Sequence, residues 1–157
     1  MRNYHIALLG ATGLVGQEII KVLVQRNFPL ASIRLLSADH NAGRKLSVGT
    51  QEIEVKEASG DSFRGADIAF LSAGSENSRY FSSIAVQSGA IVIDNSAAFR
   101  TTPDVPVIVP EVNPEDIKGH KGIIANPDCS VIPLAVALYP LHRVNPIKRI
   151  VVATYHS

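Results

Sequence analysis

Seven residues near the start of the chain, Gly10-Ala11-Thr12-Gly13-Leu14-Val15-Gly16, restrict its fold more than any other stretch. They follow an apolar run, Tyr4–Leu9, patterned as a strand. They lead directly into Leu14–Arg26, where Val15, Ile19, Val22 and Leu23 fall on one face of a helix. A strand, a tight glycine turn and a helix start aim unhindered backbone N–H groups and the positive end of a helix dipole at one point. Such a point suits the pyrophosphate of a dinucleotide. The spacing is G-x-x-G-x-x-G and not the commoner G-x-G-x-x-G, and glycines here can also serve only to bring helix and strand close together. Placement between strand and helix favours nucleotide binding.

The rest of the sequence alternates apolar runs with helix-like segments and has no repeat or low-complexity stretch. Further strands are expected at Ser32–Leu36, Glu52–Lys56, Asp67–Leu71, Ala90–Asp94, Val107–Val109, Gly122–Ala125 and Lys148–Tyr155, and further helices at Ser78–Ser88 and Ser130–Leu141. Several of these strands are apolar throughout, as in parallel strands covered on both faces. The pattern implies an α/β fold, a Rossmann-like, doubly wound and mostly parallel sheet. Residues 1–147 are read as one dinucleotide-binding domain, and the β-patterned run 148–157 as the start of a second domain otherwise absent from this chain.

Fifteen basic against fourteen acidic side chains leave a formal charge of +1, so no electrostatic argument points to nucleic acid or to a membrane surface. The apolar runs are broken by Gly or Pro well short of the roughly 20 residues that a spanning helix needs. The opening residues pass straight into a strand pattern without an Ala-x-Ala cleavage site, which fits a cytoplasmic protein. One cysteine excludes an internal disulfide and a multi-cysteine metal site, and no metal is expected. That cysteine, Cys129, lies in Ala125-Asn126-Pro127-Asp128-Cys129-Ser130, between an apolar strand and an apolar helix. The turn carries it to the C-terminal edge of the sheet, where open α/β sheets bind their ligands. A helix start there favours the thiolate. Asp128 opposes this if its carboxylate faces the sulfur.

About 20 residues past the glycines, an adenosine ribose would meet Ser37-Ala38-Asp39-His40-Asn41-Ala42-Gly43. Asp39 suits a free 2′-hydroxyl and thus NAD, whereas His40 with Arg44 and Lys45 suits a 2′-phosphate and thus NADP. Both remain open on these residues alone.

In order and spacing, the glycine turn, Ser72–Ser75 (SAGS), Asp94–Arg100 (DNSAAFR), Asp104–Glu115 (DVPVIVPEVNPE), the NPDCS turn and the closing VVATYHS resemble the aspartate-semialdehyde dehydrogenases across the whole chain. The resemblance implies NADP-dependent reductive dephosphorylation of L-aspartyl-4-phosphate to L-aspartate-4-semialdehyde through a cysteine thioester, on the route to lysine, threonine and methionine. It implies NADP as cofactor, with NAD possible, and a homodimer or homotetramer for the full-length protein. By the same resemblance Cys129 is the nucleophile, Gly10, Thr12, Gly13, Leu14 and Val15 hold the pyrophosphate, and His40 and Asn41 lie at the 2′-phosphate. Ala73 and Gly74 form the nicotinamide-side loop, with Asn95 nearby, while Arg100, Asp128 and His156 face substrate or phosphate. Residues 148–157 would open a catalytic and dimerisation domain. The family's catalytic histidine and substrate-carboxylate arginine would lie beyond Ser157, leaving this chain inactive alone.

Three positions depart from the family pattern. Asp128 stands where an asparagine usually helps to bind phosphate, His156 where a glutamine usually follows Thr-Tyr, and Ala38-Asp39-His40-Asn41 where Ser-x-Arg-Ser usually grips the 2′-phosphate. A catalytically silent dinucleotide-binding relative is one rival reading. N-acetyl-glutamyl-phosphate reductase is another, although its cysteine turn usually reads Gly-Cys-Tyr. A thiol redox sensor would lack a resolving cysteine.

Overall fold

The structure, a computed structural model, describes residues 2–155. Ten main elements follow in chain order: β1 Tyr4–Leu9, α1 Leu14–Gln25, β2 Leu30–Ser37, β3 Lys45–Val48, β4 Gln51–Glu57, β5 Ile68–Leu71, α2 Gly74–Gln87, β6 Ile91–Asp94, β7 Ile123–Ala125 and α3 Val131–Val144. Short 3-10 turns occupy Gly60–Phe63 and Pro114–Gly119. The strands form one sheet in the order β3-β4-β2-β1-β5-β6-β7, parallel throughout except for the antiparallel β3–β4 pair.

Alternation along β1 explains why both faces are covered. Ile6 and Leu8 pack with Ile20 of α1 and with Ile33, Leu35 and Val55. Ala7 and Leu9 point the other way, into a cluster with Phe63, Leu71, Val92 and the α2 residues Phe81 and Ala85. Successive strand side chains face opposite sides, so an apolar run buries both, and the helices must flank the sheet on its two faces. This is the doubly wound arrangement read from the sequence. The chain leaves β1 toward β2 on one side and returns to β5 on the other, which places the topological switch between β1 and β5.

Three strand expectations are corrected. β3 was not anticipated: Lys45–Val48 pairs back on β4 across the two-residue Gly49-Thr50 turn, with Gly49 at φ 61°. Glycine at the first central position is the signature of a type II′ hairpin, a signal present in the sequence. Val107–Val109 is not a strand but a single parallel bridge from Val107 to Ala125. Pro106 and Pro110 flank it and can donate no ladder bond, and the Val109 N–H donates instead to Asn113 Oδ1 at 2.8 Å. Lys148–Tyr155 is irregular, with Val151 80% and Tyr155 96% exposed. Its β-branched residues suit a strand, yet no described strand runs beside it to accept its backbone bonds. No helix among the described residues is long and apolar enough to cross a membrane.

Candidate active site

The glycine turn lies at the switch point. Gly10 adopts φ 85°, a left-handed conformation, and a Cβ on it would stand 2.2 Å from the Ser72 carbonyl oxygen at the end of β5. A Cβ on Gly16 would stand 2.2 Å from the Gly10 carbonyl oxygen, so this glycine lets α1 close on β1. Gly13 differs: its Cβ would meet only the Gly10 oxygen, at 3.4 Å, and its surroundings are otherwise open. Gly13 is the N-cap of α1 and no side chain caps the helix. The first-turn N–H groups have no partner within a helix, so they remain available to an anion. The open space beside Gly13 and these uncapped donors fit a dinucleotide pyrophosphate.

A crevice of about 360 Å³ opens here, lined by Gly10, Thr12 and Gly13 on one wall and by Ser72, Ala73 and Asn77 on the other. Ser37, Ala38, Asp39, Asn41 and Arg44 close its far end. A neighbouring hollow of about 610 Å³, bounded by Tyr80 and Phe81, shares Ala38 and Asn77 with it. Another hollow, about 530 Å³ between β2, β4 and the Gly60–Phe63 turn, has no glycine cradle.

Asp39 is turned into its own loop. Its Oδ1 accepts bonds from Ser37 Oγ, from Asn41 Nδ2 at 2.7 Å and from the Asn41 N–H at 3.2 Å. The Ser37 hydroxyl, then the Asn41 amide, hold its carboxyl below the usual range. Asn41 Oδ1 in turn accepts from Arg44 Nη1 at 3.2 Å. A chain Asp39–Asn41–Arg44 thus sets a guanidinium at the crevice wall. His40 does not line it, nor do the side chains of Leu14 and Val15, which are 86% and 51% exposed. Leu14 and Val15 open α1 directly after Gly13, and Gly74 begins α2 directly behind Ala73.

Cys129 lies on the exposed loop between β7 and α3, just before the α3 N-cap Ser130. Three backbone bonds continue the sheet beyond the strand ends: Ser72 N–H to Leu9 at 2.9 Å, Asn95 N–H to Leu71 at 2.9 Å and Asn126 N–H to Asp94 at 2.7 Å. They tie the crevice wall to the cysteine loop along one C-terminal edge. Asn126 Nδ2 also donates to Asn95 Oδ1 at 2.7 Å. Arg100 spans the same loops, donating from Nε to the Asn126 carbonyl at 3.0 Å and from Nη2 to the Asn95 carbonyl at 3.2 Å. Its Nη1 meets Asp128 Oδ2 at 3.2 Å. Asp128 Oδ1 accepts from Ser130 Oγ at 2.7 Å, from the Ser130 N–H at 3.1 Å and from the Cys129 thiol at 3.8 Å. The Ser130 side chain and backbone, followed by the Arg100 charge, pull the Asp128 carboxyl down to about 2. Asp128 therefore faces the sulfur as an ionised carboxylate.

The structure thus brings Cys129, Arg100, Asp128 and Asn95 together, and groups Gly10, Thr12, Gly13, Asn41 and Ala73 separately around the crevice. His156 lies outside the described residues. Sequence reasoning gave no role to Asn126, Ser130 or Asn77, although Asn126 belongs to the Asn-Pro turn that drew attention to the cysteine. It also missed Asp94, fully buried at the end of β6, where Oδ2 accepts from Ser96 Oγ at 2.8 Å and Oδ1 has no partner.

The sequence matches the family described as semialdehyde dehydrogenase, NAD binding domain, over residues 5–120. It is 47% identical over 153 residues to aspartate-semialdehyde dehydrogenase of Synechocystis, covering 98% of this chain and 45% of that protein. Aspartate semialdehyde dehydrogenase II of Vibrio cholerae, solved in complex with ASA, superposes with a TM-score of 0.87 at 38% identity, over 90% of this chain and 47% of that one. The enzyme of Candida albicans, solved with NADP, superposes with a TM-score of 0.76 at 28% identity, over 93% and 48% of the two chains. The chain spans about half the length of the relatives it matches.

Proposed function

Since this chain belongs to the semialdehyde dehydrogenase family through that family's NAD-binding domain, we propose that it is the cofactor-binding, nucleophile-bearing part of an aspartate-semialdehyde dehydrogenase. In this reading residues 1–147 bind the dinucleotide and 148–157 open the catalytic and dimerisation domain of a homodimer or homotetramer. The substrate is L-aspartyl-4-phosphate and the cofactor NADP, with NAD as the weaker alternative. The observation that carries the reading is the shared sheet edge: backbone bonds from the Ser72, Asn95 and Asn126 N–H groups to the Leu9, Leu71 and Asp94 carbonyls hold the glycine crevice and Cys129 on one frame.

Within that frame the Cys129 thiolate attacks the acyl carbonyl, the C–O bond to phosphate breaks, and a thioester to the sulfur forms, dividing one difficult step into two. Arg100, steered by two backbone carbonyls, receives the departing phosphate. A nicotinamide cofactor held in the crevice would supply the hydride that reduces the acyl carbon, whose C–S bond then breaks to release the aldehyde and return Cys129 to the thiolate. Gly10, Thr12 and Gly13, with the backbone of Leu14 and Val15, bind the pyrophosphate. Ala73 and Gly74 leave room for the nicotinamide beside Asn95. Asn41 and Arg44 meet the 2′-phosphate, and His156 contacts the substrate.

Calorimetric titration of the chain with NADP and NAD, together with an assay of phosphate-dependent semialdehyde oxidation, tests this. The chain is expected to bind NADP more tightly and to be inactive alone, while a form extended to the length of its relatives turns over and loses turnover on Cys129→Ala. Binding of neither nucleotide, or turnover by the Cys129→Ala form, defeats the reading.

A further inference from the structure

At the start of α1 the helix donors are uncapped and open; at the start of α3 they are already occupied. Asp128 supplies an acceptor to the Ser130 N–H and side chain through Oδ1, while its carbonyl accepts from Val131 and Ile132. Its Oδ2 lies 3.2 Å from Arg100 Nη1. The guanidinium cannot swing away freely, because Nε and Nη2 are held by the Asn126 and Asn95 carbonyls. One carboxylate therefore sits between the only cysteine and the one cation that the cysteine loop engages among the described residues.

We propose that Asp128 is a resident anion on Arg100 beside Cys129: it pairs with the guanidinium when no phosphate is bound, and an incoming phosphoryl group must displace it. The inference rests on the reading of Arg100 as the phosphate residue, and it adds an intramolecular competitor to that site. Asp128 is ionised across the neutral range, so the competing charge is always present. A phosphate arriving at Arg100 breaks an ion pair whose partners are 24% and 47% exposed, and then lies against a like charge. Pairs exposed to this degree are worth up to ~5-fold in an equilibrium, and the like-charge repulsion adds a comparable factor.

Asp128→Asn is the informative variant. It keeps Oδ1 as the acceptor for the Ser130 N–H and hydroxyl, but replaces the charged Oδ2 with an amide that cannot pair with Arg100 and can donate to phosphate. Asp128→Ser retains a side-chain oxygen without charge and serves as the second variant. Binding of inorganic phosphate to the chain is measured by calorimetry at low ionic strength for the wild type, both Asp128 variants and Arg100→Gln, with urea midpoints confirming that each is folded. Phosphate is expected to bind roughly tenfold more tightly to both Asp128 variants and to be lost from Arg100→Gln. Equal affinity in the wild type and the Asp128 variants, with binding still lost in Arg100→Gln, overturns the resident anion and spares the role of Arg100. Binding unaffected by Arg100→Gln, or absent from every form, overturns both.

Discussion

Two glycines three residues apart carry different burdens, and substitution separates them. Gly10 has a left-handed backbone and its Cβ would collide with the Ser72 oxygen at 2.2 Å, whereas a Cβ on Gly13 would meet one oxygen at 3.4 Å. A left-handed residue with a side chain costs about 1–2 kcal/mol before any clash, so Gly10→Ala is expected to lose more than about 2 kcal/mol of stability. Gly13→Ala is expected to stay within about 1 kcal/mol of the wild type by urea unfolding. Its methyl group would instead fill the space beside the helix donors, so NADP binding should weaken several-fold. Equal losses of stability in the two variants would show that the open side of the turn is structural and not a ligand cradle.

The elements differ in how much they hold together. α1 buries Gly16 and Ile20 against the sheet, and Ile20 is 4% exposed. α3 buries no residue, and Leu141 on it is 61% exposed. Ile20→Ala should therefore cost about 2–4 kcal/mol, and Leu141→Gln less than about 0.5 kcal/mol; urea midpoints of the two variants check this contrast. The start of α3 also has an acid limit. Asp128, like Asp39 and Asp67, has a carboxyl lowered in the folded state, by Ser130, by Ser37 and by the His5 backbone N–H respectively. A depressed carboxyl contributes its stability above the unfolded value, near 3.8, and loses it as pH falls through the folded value. Stability should decline from about pH 4 toward pH 2, and Asp128→Asn should make that decline shallower. An unchanged slope would mean that the Ser130 and Arg100 contacts do not persist in solution.

At the scale of the molecule, the antiparallel β3–β4 hairpin brings Arg44 to a crevice built mainly by the parallel strands. Asp39 suits a free ribose hydroxyl, yet Ser37 and Asn41 bond its Oδ1, and Asn41 passes the contact on to Arg44. If Arg44 meets the 2′-phosphate, a lost charge-assisted bond of about 1.5–3 kcal/mol predicts a fall in NADP affinity of roughly 10- to 100-fold for Arg44→Ala, with NAD binding little changed. Raising the salt concentration should weaken NADP binding more than NAD binding. Calorimetry on the two forms decides it, and parallel losses for both nucleotides would remove Arg44 from specificity.

Hydrophobic periodicity and turn chemistry are local properties, and what depends on them was legible in the sequence. Apolar Ile6–Leu9 announced a strand covered on both faces, and the glycines after it announced a helix start at the C-terminal edge of the sheet. The Asn-Pro turn before Cys129 announced the exposed loop between β7 and α3. Side-chain direction depends on groups distant in sequence. Ser130 beside it fixes Asp128 Oδ1, but Oδ2 meets Arg100, 28 residues away, whose guanidinium is steered by the Asn95 and Asn126 carbonyls at the ends of β6 and β7. Lys148–Tyr155 carries the residue pattern of a strand, but pairing belongs to two segments at once, and among the described residues no second segment lies beside it.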